Sequence, residues 1–152
     1  MNTAKLISLV VMAIMSVGLI ACSASSPVAD PMPQGQSYSG LWYSPQYEHM
    51  YLHQDGDRVV GVYTYRGGGE IEGKVEGNLL LFDWDQPGDR DAARRDMQGK
   101  GFFHLVERGD GVELEGQWGY NEDREGAPWE AEYIREWKDS DPRTLQELRD
   151  RR

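Results

Sequence analysis

His49 and His53 are the first residues in the chain whose type and spacing could do chemistry. Two imidazoles four apart chelate a metal on a helix, where one turn brings them onto the same face. Here they alternate with Tyr47 and Tyr51 in a run, Glu48–Gln54, that reads as a strand. A strand rises about 3.3 Å per residue, which holds the two rings roughly 13 Å apart, too far to share a metal unless other strands contribute. The expectation is a rim row of aromatics with no metal. His104, alone beside Phe102 and Phe103, reads as structural.

The stretch DWDQPGDRD, Asp83–Asp91, has the acidic rhythm of a calcium loop. Set on the EF-hand pattern, Asp83, Asp85 and Gly88 fall at positions one, three and six. Pro87 then stands at five and Arg94 at twelve, where a bidentate glutamate is required. The template fails, and Arg90, Arg94 and Arg95 give the aspartates nearby cations. Asp83–Asp96 therefore reads as a solvated loop with a helical turn over Asp91–Met97. As the longest connection in the chain, it is a place where function could sit.

No nucleophile meets a base. Ser44 and Thr64 fall in or at the ends of strands without a nucleophile motif, and no pair of carboxylates is singled out as a glycosidase dyad. The expectation is a non-enzyme with no cofactor. Five tryptophans and eight tyrosines are many for a small domain. Tyr63, Trp84, Trp129 and Trp137 are accordingly candidate ligand-binding side chains for a small molecule, glycan or peptide, against the plainer reading that they pack a core.

The sole cysteine, Cys22, closes an amino-terminal pattern that must be set aside before the fold is read. Lys5 precedes an uncharged, largely apolar run of 15 residues, Leu6–Ile20, the size of a signal-peptide core and short of the roughly 20 residues that span a bilayer. Leu19-Ile20-Ala21-Cys22 resembles the lipobox of bacterial lipoproteins; an ordinary secretory signal with a chance cysteine is the alternative. The resemblance implies that residues 1–21 are a cleaved signal peptide, that the Cys22 thiol carries a diacylglycerol, and that its new amine is acylated. Ser23, where an aspartate would favour inner-membrane retention in enterobacterial lipoproteins, implies outer-membrane anchoring. Several acyl chains together hold firmly, at about 0.8 kcal/mol per buried methylene.

Ser23–Ser39 is rich in serine and proline without an apolar period. Residues 22–39 thus read as a lipidated tether, spanning on average about 20 to 25 Å by coil statistics. The full chain carries a formal charge of −10, and loss of the signal with its one lysine makes it −11. Such a balance argues against nucleic acid and against a surface that hugs anionic lipid.

What must position the candidates is the body, residues 40–138. Its period is two, and turn signals come every 8 to 12 residues. Strands are expected at Leu41–Ser44, Glu48–Gln54, Arg58–Tyr65, Glu70–Glu76, Asn78–Asp85, Gly101–Arg108, Val112–Tyr120 and Trp129–Trp137. Asp-Gly turns in QDGD and RGDG make sequential antiparallel neighbours. A G-x-aromatic unit recurs at Gly40-Trp42, Gly61-Tyr63 and Gly116-Trp118, as in a sheet whose glycines bend it and whose rings fill a small barrel. Gly73 fits a bend and Gly77 a turn. The expected class is all-β, an up-and-down antiparallel meander of about eight strands closing into a small barrel, with a β-sandwich as the alternative.

GLWY, Gly40–Tyr43, resembles the opening G-x-W strand of calycin barrels, the avidins and lipocalins. In lipocalins a basic side chain of the last strand packs over that tryptophan, which would set Arg135 over Trp42. The short strands and loops look more like the avidins, but avidin's ligand positions do not map onto this chain, and biotin is not implied. Residues 139–152 read as a helical tail, with Asp141 as N-cap, Pro142 at the first helical position, and Leu145 and Leu148 on one face. The functional expectation is a non-catalytic structural or protein-interaction component of the bacterial envelope. The alternative is a calycin-like binding module.

Overall fold

A computed structural model describes residues 26–88 and 95–151. The lipobox with Cys22 lies outside the described residues, as do Asp91–Arg94 of the helical turn expected near the acidic stretch.

Alternation of apolar and polar residues produces eight strands: β1 (Gly40–Ser44), β2 (Glu48–Asp55), β3 (Arg58–Tyr63), β4 (Gly69–Glu76), β5 (Leu79–Gln86), β6 (Met97–Arg108), β7 (Gly111–Tyr120) and β8 (Ala127–Arg135). Each pairs antiparallel with the next, and β8 returns to β1, so the sheet closes as a barrel rather than folding over as a sandwich. This agrees with the calycin-like expectation at the level of architecture. The two-residue hairpins after β2 and β6 are both Gly-Asp, Gly56-Asp57 and Gly109-Asp110, and the glycine takes positive φ (61° and 56°) as the first loop residue.

Inward residues fill the barrel. Trp42, Met50, Leu52, Ile71, Leu80, Phe82, Phe103, Leu105 and Leu114 are all buried, and Trp129 sits among Tyr47, Tyr63, Phe82 and Phe103 with ring centroids 4.9 to 5.8 Å away. The glycines provide room for these rings. Gly116 lies across from Phe103 on one side and Trp129 on the other, and a Cβ there would strike the Phe102 carbonyl oxygen. Gly61 faces Leu52 and Ile71, and its Cβ would run into the Tyr51 carbonyl oxygen. The barrel wall bends too tightly at both places for a side chain.

Several strand ends differ from the sequence reading by one to four residues, and some of these shifts move candidate residues. β3 stops at Tyr63, because Thr64 turns the chain into a 3-10 turn, Tyr65–Gly67. β5 runs one residue further, to Gln86, and β6 begins four residues earlier, at Met97, so Asp83 and Asp85 lie on a strand, as Asn78–Asp85 predicts, and the loop expected over Asp83–Asp96 is shortened from both sides. β8 ends at Arg135, leaving Trp137 beyond the sheet. The helix is α1 (Leu145–Arg149), capped by Thr144 in a reciprocal capping box with Glu147, not by Asp141. Asp141 instead takes both guanidinium nitrogens of Arg135 at 2.8 Å. Arg135 is thereby drawn to the tail, and the ring against Trp42 is Tyr133, edge-on at 5.1 Å.

Leu145 and Leu148 dock on Val62 and Tyr51 against the outside of the barrel. At the end where β1 begins, the last part of the segment read as a tether is folded against the barrel floor. Tyr38 is fully buried there, its hydroxyl 2.6 Å from the Asn78 carbonyl oxygen and 2.9 Å from that of Phe103. Asp30 donates its N–H to the Asn78 side chain, and the Val28 carbonyl lies 2.9 Å from His104 Nε2.

Candidate functional site

The opposite end of the barrel is the one where β1, β3, β5 and β7 finish, and a cavity of about 180 Å³ opens there. Strand parity decides its lining. Trp84 and Gln86 extend the inward row of β5, Trp118 and Tyr120 that of β7, and Trp129 opens that of β8. Tyr63 ends β3, while the tight turn after β1 brings in Tyr47, and the 3-10 turn brings in Tyr65 and Arg66.

These rings are held by edge-to-face contacts and a few hydrogen bonds. Trp118 stands nearly perpendicular to Tyr47 (81°), Trp84 (87°) and Tyr120 (84°), with centroids 5.1 to 6.0 Å apart. Its Nε1 donates to the Tyr47 hydroxyl at 2.7 Å, and Trp84 Nε1 donates to the Gly119 carbonyl at 3.2 Å. Tyr63 donates to Gln86 Oε1 at 3.1 Å, and burial, with the Asp85 charge adding to it, holds this phenol far above its ordinary pKa. Trp129 Nε1 is buried and meets no hydrogen-bond partner among the described residues. An unmet buried donor costs about 1–3 kcal/mol.

The backbone at this end is unusual. Three non-glycine residues at positive φ stand around the opening: Glu48 (64°) opens β2, Arg66 (50°) lies in the 3-10 turn and Asn121 (56°) follows β7. Left-handed geometry at such residues is unfavourable and collects where a fold holds side chains for a purpose other than packing.

Of the four sequence candidates, Tyr63, Trp84 and Trp129 come together at this mouth. Trp137 does not: it packs against His53 at 4.8 Å on the outer wall, with the Arg143 guanidinium 5.7 Å from its ring centre. His49, Tyr51 and His53 share the outer face of β2, as an aromatic row would, while Tyr47 leaves that row for the cavity. Tyr47, Trp118, Tyr120 and Gln86 were not singled out by the sequence as a site. Trp118 had a signal, the G-x-aromatic unit at Gly116; Tyr47 had none, because its place depends on a turn.

Asp83 and Asp85 face outward, toward a wider depression of about 590 Å³ on the outer wall over β3 to β6. Most of its charges are already met: Arg58 with Glu72 at 2.7 Å, Lys100 with Asp83 at 3.1 Å, and Glu70 with the Leu145 N–H at 2.7 Å. Partial burial, with the charges of Asp96 and Glu70, raises the pKa of Asp85. Among the described residues no group of three or more metal-ligating side chains is present.

No family model, curated protein or solved structure matches the chain.

Proposed function

We propose that the chain is a non-catalytic envelope lipoprotein, anchored in the outer membrane through lipid on Cys22, whose barrel binds a small ligand at its aromatic mouth. One observation carries the binding reading. Rings from the β1–β2 turn, β3, β5, β7 and β8 surround a cavity at one end of the barrel, while the chain's own residues, Tyr38 among them, close the other end. A core packed only for stability has no need to leave such a cavity beside an unpartnered Trp129 N–H. A volume near 180 Å³ suits a compact ligand of one ring or its equivalent, below the usual range of drug-sized sites.

The anchoring reading rests on the ordered charge, apolar run, small residue and cysteine of residues 1–22. Few residues separate Cys22 from Val28, which already touches the floor end at His104. An anchor there would present the mouth away from the membrane. Cys22→Ser should release the protein into the soluble envelope fraction; retention of the variant in the membrane would exclude lipid anchoring at this residue.

The binding reading is tested by titrating a panel of compact polar-aromatic and aliphatic compounds while following tryptophan emission, since Trp84, Trp118 and Trp129 all line the cavity. Saturable changes that Trp129→Phe weakens would support it. A panel that leaves emission and melting temperature unmoved would exclude it.

A structural or interaction role for the barrel is favoured by a different feature, the charged depression beside the docked tail, which Arg143 and Thr144 border. A stoichiometric protein partner, captured from the envelope and lost on charge reversal at Glu72 and Asp83, would point there.

A further inference from the structure

Resting on the binding reading of the mouth, we infer that its ligand is a compact organic cation, an onium group held among the rings of Tyr47, Tyr65, Trp118 and Tyr120. The four are joined in succession by edge-to-face contacts, Tyr65 to Tyr47 at 84°, Tyr47 to Trp118 at 81° and Trp118 to Tyr120 at 84°. All four rings line the cavity as an aromatic box, and the faces of aromatic rings carry the negative part of their quadrupole. Such boxes hold quaternary ammonium groups, whose diffuse charge is weakly hydrated and cheap to remove from water.

The chain itself places a cation on this lining. The Arg66 guanidinium lies 5.1 Å from the centre of the Tyr65 ring, and Arg66 adopts left-handed backbone geometry in doing so. Charge near the mouth is mixed: among the described residues Arg66 is the one charged residue on the cavity lining, while Asp85, on the outer face of β5, acts on the Tyr63 hydroxyl. The whole chain carries −10, which favours the approach of cations over anions to the molecule as a whole. Trp129 Nε1 adds a donor at the wall, so a cation that also bears an oxygen acceptor fits better than a bare one.

Three compounds of one shape and different charge test this: choline, its uncharged carbon isostere 3,3-dimethylbutan-1-ol, and the anion 3,3-dimethylbutyrate. Binding to the full chain in a non-ionic detergent is followed by calorimetry and by tryptophan emission. Choline should bind about thirtyfold more tightly than the alcohol, the size of a desolvated cation–π contribution, and the anion most weakly of the three. Trp118→Leu and, as a rim change that leaves the core intact, Tyr120→Leu should each reduce the preference for choline over the alcohol. Equal or tighter binding of the alcohol or the anion would overturn the cation assignment while leaving the mouth as a binding site. Choline binding that neither variant alters would overturn it by placing the site elsewhere. No binding of any of the three, together with an unresponsive compound panel, would overturn both the assignment and the binding reading.

Discussion

Trp118 Nε1 donates to the Tyr47 hydroxyl at 2.7 Å, tying strand β7 to the turn between β1 and β2 across the barrel mouth. Tyr47 also touches the rings of Tyr65 and Trp129, so one side chain from a turn braces three parts of the wall. Tyr47→Phe keeps the ring and removes the acceptor. The expected cost is about 1 kcal/mol, read as a lower urea midpoint at unchanged slope. Tyr47→Ala should cost more and change tryptophan emission, because Trp118 and Trp129 lose a shared neighbour. A Phe variant that melts like the parent would show that packing alone holds the mouth.

Gly116 separates Phe103 from Trp129 across the sheet, with no space for a side chain. Gly116→Ala should destabilise by about 1–3 kcal/mol or more, as overpacking does when backbone is what the new atom meets. Gly111 is the control: it has ordinary φ, and its nearest contact would be the Arg108 carbonyl at 3.9 Å. Gly111→Ala should therefore change the melting temperature little. Equal melting of the two variants would show that the bend at Gly116 is dispensable.

Those glycines are also why the barrel was legible in the sequence. Period-two alternation set the strands within a few residues, the clustered aspartates and glycines located the hairpins, and glycine beside aromatics signalled curvature. Non-local contacts left weaker marks. Tyr38 sits in a serine- and proline-rich run that reads as coil, yet its ring is in the core because the floor of the barrel needs a plug. Asp141 precedes a proline as an N-cap would, but a bidentate arginine three-dimensionally beside it outcompetes the helix N–H groups, and Thr144 caps instead. Trp137 is like Trp84 and Trp129 in sequence, and only the end of β8 at Arg135 removes it from the cavity.

Tyr38 gives a direct test of the floor. Tyr38→Phe removes a hydroxyl that lies within hydrogen-bond distance of two buried carbonyl oxygens, and the expected loss is about 1–2 kcal/mol. Tyr38→Ala leaves a cavity among core residues and should cost about 3–5 kcal/mol. Chemical denaturation of both variants measures the difference. If the Ala variant is as stable as the parent, the segment before β1 is not part of the folded unit.

Asp85 and Asp141 differ in sign, which makes acid titration of stability informative. The Arg135 pair, joined by the Lys138 N–H, holds Asp141 below the ordinary carboxylate pKa. A lowered folded-state value means stability that is complete above the unfolded value near 3.9 and is lost as pH falls through the lowered one. Asp141→Asn should melt below the parent at pH 7 and converge with it once the pH has fallen through the lowered value. For Asp85 the pKa is raised, by partial burial first and then by Asp96 and Glu70, so the folded protein holds its proton more tightly than the unfolded chain does. Ionised Asp85 therefore opposes folding at neutral pH, and that penalty fades as pH falls through the raised value toward the unfolded one. Asp85→Asn should melt at or above the parent at pH 7, with the gain gone near pH 3. Thermal melts of both variants between pH 2 and 7 read the two slopes, and a loss of stability in Asp85→Asn at pH 7 would mean that Asp85 is held by a favourable contact instead.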